Sequence, residues 1–69
     1  MVEVFKTNVQ KLKQAKELVE VLHQYFPGNR INFDLQDCDK VLRVEGNNFI
    51  PGQVMKLVNQ NGFSCNMLE

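Results

Sequence analysis

The stretch from Val9 to Phe26 constrains this chain more than any other. Projected at about 100° per residue, Leu12, Ala15, Leu18, Val19, Leu22 and Phe26 fall on one side, with Val9 and Tyr25 at its edges. Lys13, Gln14, Glu17, Glu20 and Gln24 fall on the other. This is an amphipathic helix with one buried stripe, and the stripe requires a second apolar surface to cover it. Thr7 and Gln10 have the spacing of a capping box, with Asn8 as a rival cap. Pro27-Gly28 ends the helix, because proline lacks an N–H and disfavours helical geometry in the residue before it. Val21 falls on the polar side and reads as a stray exposed valine.

The covering surface is read as strands. Val2 to Thr7 alternates Val2 and Val4 with Glu3 and Phe5, and either parity can face the helix. With Val2 and Val4 inward, Phe5 sits on the open face. Ile31, Phe33 and Leu35 alternate with polar residues in a second strand. Asp37-Cys38-Asp39-Lys40 is a polar turn. Leu42 and Val44 alternate with Val41, Arg43 and Glu45 in a third strand, so strands two and three form an antiparallel hairpin. Pro51 suits the first turn of a second helix, whose stripe is Val54, Leu57 and Val58, and Gly62 closes it. Ile50 stands at the entrance of that stripe and Met55 at its margin. Phe63, Cys65 and Met67 point inward from a short last strand.

The order β-α-β-β-α-β predicts an α+β, ferredoxin-like sandwich, with two helices on one face of a four-stranded antiparallel sheet. Right-handed crossovers put strand three beside strand one and strand four on its other side. The open face then carries Glu3, Phe5, Asn32, Asp34, Val41, Arg43, Ser64 and Asn66.

Sixty-nine residues make one domain, 1–69, and a core of that size rarely supplies more than roughly 3–5 kcal/mol. Leu68-Glu69 reads as a vector-derived scar. Eight basic and eight acidic residues cancel, which argues against a general phosphate-backbone binder. No apolar run approaches the ~20 residues that span a bilayer, and no secretory signal is recognisable. Two cysteines without a dense framework suit a reducing cytoplasm.

From Phe33 onward the chain resembles the heavy-metal-associated domain family of small copper and zinc carriers. Phe33-Asp34-Leu35 through Val44-Glu45-Gly46 is similar to that family's strand-turn-strand ending in V-E-G. Val54 to Phe63, ending Asn61-Gly62-Phe63, is similar to its second helix and closure, and Pro27-Gly28 sits where the family often has Pro-Gly. The resemblance implies a metal-carrier fold. The family's G-M-x-C-x-x-C would place its two thiolates near Leu12 and Ala15, and neither residue is a ligand. No other Cys-x-x-Cys exists, so the family's metal site is not expected here, and both positions read as interior filler.

Other candidates are sparse. Cys65 reads as a small core thiol. Cys38, flanked by Asp37 and Asp39, is a candidate metal ligand, although nearby negative charge opposes thiolate formation. A Cys38–Cys65 disulfide is not expected, because strands two and four lie at opposite edges. Asp34, Asp37 and Asp39 read as a solvated turn, since nothing supplies the cleft that would separate their pKa values. His23, just outside the stripe, reads as a partly covered packing histidine. Lys6, Lys11, Lys13 and Lys16 cluster near the start of the first helix, and Lys6 and Lys11 are the candidate anion contacts.

RNA-recognition domains share this strand order and stack bases on central-strand aromatics. Strand three has none, so nucleic acid is not expected. An acylphosphatase-like hydrolase would want an arginine in the loop before helix one, where only lysines occur. No nucleophile, base and stabiliser converge, so no enzyme and no cofactor are expected. The leading expectation is a small interaction domain that binds a protein partner or itself through Phe5, Val41 and Arg43, with no membrane partner. The alternative is a soft-metal carrier with unusual ligands, Cys38 or methionines.

Overall fold

A computed structural model describes residues 1–68. The elements are β1 (Val2–Thr7), α1 (Leu12–Tyr25), β2 (Arg30–Asp34), β3 (Val41–Glu45), α2 (Pro51–Gln60) and β4 (Cys65–Met67). The four strands form one antiparallel sheet in the order β2-β3-β1-β4. β1 and β3 are central, and β2 and β4 are the edges.

One core joins both helices to one parity of the strands. Phe5 lies opposite Leu42, and Leu42 lies opposite Phe33. Above them sit Ala15, Leu18 and Leu22 from α1 and Val54 and Val58 from α2. Phe5, Leu22, Leu42, Val54 and Val58 are all fully inaccessible. The three buried residues of α1 are spaced three and four apart, as one helical stripe requires.

Phe5 is therefore not on the open face. The β1 parity is the reverse of the expected one: Phe5 and Thr7 are buried, Val2 is exposed and Val4 half-buried. Glu3 shares the inward parity, half-buried near the strand's start. One phenylalanine set against Leu42 removes more apolar surface than the valines would. Thr7 tolerates the same parity because its hydroxyl is satisfied. Oγ1 donates to the Lys40 carbonyl at 2.6 Å and accepts from the Val9 N–H at 3.2 Å.

That use of Thr7 also moves the helix start. Val9 is fully buried from an extended segment, and α1 begins at Leu12, after Lys11. Gln14 Oε1 accepts from the Lys11 N–H at 3.4 Å. Asn8, the rival cap, accepts instead from the Ser64 N–H at 2.8 Å, tying the β1–α1 loop to the approach of β4. Leu12 is 63% exposed, contrary to its assignment to the buried stripe, whereas Ala15 is buried. As the first helical residue, Leu12 lines the open groove between α1 and β2.

Two buried groups hold the loops at the opposite end. Asn29 Nδ2 donates to the carbonyls of Phe26 at 3.0 Å and Asn48 at 3.3 Å. Its Oδ1 lies against Gly46, where a Cβ would collide with it, and Gly46 has φ +151°. Glycine is needed there for both reasons. Phe49, just beyond, is buried in the same core.

Phe5→Ala should cost about 3–5 kcal/mol, comparable to the whole stability of so small a domain. Val4→Ala, at the half-buried opposite parity, should cost less than about 1.5 kcal/mol. Urea unfolding followed by circular dichroism checks both.

Candidate functional site

The sheet face opposite the helices is the one sizeable structured surface without a covering layer among the described residues. Its rows follow from the register. Val4 stands opposite Arg43, and Arg43 opposite Asn32. Lys6 stands opposite Val41 and Val41 opposite Asp34, while Val2, Glu45 and Arg30 make the third row. The Leu68 N–H donates to the Val4 carbonyl at 2.9 Å and continues the β4 side of the sheet. A shallow depression of about 550 Å³ runs over Val2, Val4, Val41, Arg43 and Leu68.

Of the three residues expected to form a contact surface, Val41 and Arg43 lie on this face, half-buried and exposed respectively, and Phe5 does not. Val4 occupies the place beside Arg43. With Phe5 in the core, β1 and β3 offer no aromatic side chain to this face. A stacking platform for bases is thereby missing from the central strands.

The charges are unevenly satisfied. Lys6 Nζ lies 3.7 Å from Asp39 Oδ1. Arg30 and Arg43 make no ion pair among the described residues. Lys6 and Lys11, the expected anion contacts, are not brought together. Lys6 belongs to the open face and is paired with Asp39, while Lys11 precedes α1 on the other side of the sheet. His23 is exposed rather than partly covered, because the buried stripe of α1 runs through Leu22 and leaves its neighbour outside.

The 34–40 turn gathers Asp37, Cys38 and Asp39, with ligand atoms within 4.8 Å of one another. Their oxygens already have tasks. Asp34 Oδ1 accepts from the N–H groups of Gln36 at 3.1 Å and Asp37 at 3.3 Å. Asp37 Oδ1 accepts from the Asp39 N–H at 2.9 Å. Lys40, at φ +47°, donates from Nζ to the Leu35 carbonyl at 2.9 Å. These are the local bonds that short acidic side chains make in a tight turn.

A soft ion wants a second thiolate. Cys65 is buried in β4 opposite Thr7, its ligand atom is not among those gathered with Cys38, and both cysteines are free. At the positions where the resemblance would place ligands, Leu12 is exposed and Ala15 buried, and neither has a donor atom. The residues present do not fit the metal of that family. Among the described residues no hydrogen bond links His23, Cys38 and Ser64 to one another. Among the described residues no helix is long and apolar enough to cross a membrane.

In comparisons with family models, curated proteins and solved structures, the chain matches none.

The two thiols should behave differently. Burial pushes the Cys65 thiol up from 9.0 to about 12, so it stays protonated in the folded state. A thiol-specific chromogenic reagent at pH 8 should titrate Cys38 rapidly and Cys65 only after unfolding in urea. Because the folded-state pKa lies above the unfolded one, the stabilisation is complete below pH 9 and is lost as pH rises toward about 12. A Cys65→Ala variant should lose that part of the alkaline destabilisation.

Proposed function

We propose that this chain is a small non-enzymatic interaction domain of ferredoxin-like topology, related in fold to the metal carriers and lacking their thiolate pair. Its uncovered sheet face binds a protein partner. The observation that carries this reading is the middle of that face. Val4 and Val41 flank Arg43, which is exposed and makes no ion pair among the described residues. Arg43 has Val4 and Val41 on two sides and Asn32 and Glu45 on the others, a setting that favours a partner offering a carboxylate beside an apolar group. Two free cysteines, one of them exposed, fit a reducing cytoplasmic setting.

Capture from extract of the native cell tests the face. A partner retained by the wild-type chain should be lost with Val41→Asp and with Arg43→Glu. It should persist with Gln24→Glu, on the exposed side of α1. Capture of the same proteins by all four chains would defeat the reading.

A second reading, a soft-metal carrier with unusual ligands, is favoured only by the proximity of the Asp37, Cys38 and Asp39 ligand atoms. Because the carboxylates serve the turn and Lys6, titration with Zn(II) or Cu(I) under reducing conditions should yield no stoichiometric complex. A one-to-one complex abolished by Cys38→Ser would favour the carrier instead.

A further inference from the structure

The two edges of the sheet are unequal. β4 has three residues, while β2 has five in regular register with β3, from Arg30 opposite Glu45 to Asp34 opposite Val41. Natural edge strands are commonly blunted by proline, lysine, a bulge or shortness. β2 has no proline, no lysine and no bulge. It presents unpaired backbone groups along one side, beside a groove of about 380 Å³ lined by Leu12, Val19, Ile31 and Phe33.

The sequence of this edge, Arg30-Ile31-Asn32-Phe33-Asp34, reads the same in both directions as cation or anion, apolar, polar, apolar, opposite charge. We propose that β2 pairs antiparallel with β2 of a second copy of this chain, about a two-fold axis at Asn32. In that register Arg30 stands opposite Asp34 of the second copy, twice. Ile31 meets Phe33 on the helix side, also twice, and Asn32 meets its own equivalent on the open face.

Other registers lose this match. A shift of one residue sets apolar side chains opposite polar ones on the wrong face. A shift of two separates both pairs of opposite charges. Arg30 and Asp34 are both exposed, and Arg30 makes no ion pair among the described residues. Asp34 uses Oδ1 for the turn and has Oδ2 for the second copy. The same axis runs the two α1 helices antiparallel, each beside the groove that Lys16 and Glu20 line. Leu12, 63% exposed in the single chain, then borders an apolar seam. The two four-stranded sheets become one continuous sheet.

This interface is separate from the Val41 and Arg43 contact surface, so either can fail alone. Sedimentation equilibrium of the full chain, from about 10 µM to about 1 mM, suits a weak interface of this size. Mass should rise reversibly from 8.0 kDa toward twice that value. Arg30→Asp leaves two acidic ends on β2, and Asp34→Lys leaves two basic ones. Each alone should weaken self-association at least about tenfold, from lost cross-strand pairs and new like-charge contacts. An equimolar mixture should form a heterodimer.

Circular dichroism confirms that each variant is folded. Should Asp34→Lys not fold, amide exchange serves in its place, with 30–34 gaining protection on concentration in the wild type and not in Arg30→Asp. Three results would overturn the proposal. One is a monomer throughout the range. Another is a dimer indifferent to Arg30→Asp. The third is two folded single variants that do not combine.

Discussion

The facing of β1 is the constraint on which the rest depends. Phe5 packs against Leu42 beneath both helices, and the pleat then assigns every other residue of the central strands to a side. Thr7 falls inward and holds the β2–β3 turn through the Lys40 carbonyl, assisted by its own N–H to the Asp39 carbonyl at 3.1 Å. Val9 falls inward before the helix begins. Val4 and Arg43 fall outward, and a surface with an exposed cation between apolar neighbours results. The alternative parity would bury two smaller side chains and leave a phenylalanine in water.

The chemistry is as informative as the packing. The carboxylates of the 34–40 turn are engaged by its own backbone and by Lys6. Cys65 is protonated and enclosed, Cys38 and His23 are exposed, and no hydrogen bond joins the three among the described residues. Among the described residues one sheet face has no covering layer, and β2 is the longer of the two edge strands. The proposed partner would use the face by side-chain contact, and the proposed second copy would use the edge by backbone pairing.

Much of the architecture is legible without coordinates. The two helices, the four strands and the neighbour relations of the strands follow from periodicity, turn residues and crossover handedness. Ala15, Leu18, Leu22, Val54, Val58, Leu42, Val44 and Cys65 are recognisable as interior from their spacing. Leu12 shares that spacing and is exposed, because a helical period says nothing about where along its length the helix meets the sheet. Phe49 lies in a loop, where no periodicity announces burial. Asn29 and Gly46 are far apart in sequence, and their mutual fit is invisible until the two loops converge. Lys6 and Lys11 are close in sequence, yet one belongs to the open face of β1 and the other precedes α1.

The amino-acid order by itself determined which segments become helix and strand, because those choices depend on local spacing and on prolines, glycines and short polar side chains within a few residues. It also determined the self-complementary order of charge and polarity along 30–34. Only the tertiary structure decided which side of β1 meets the helices. Alternation is symmetric under exchange of the two faces, and the balance between one phenylalanine and two valines is settled by the partner across the strand, Leu42, together with the hydrogen bonds that make a buried Thr7 tolerable. The same packing decided which strands would be edges, and so left the outer side of β2 without a strand partner among the described residues.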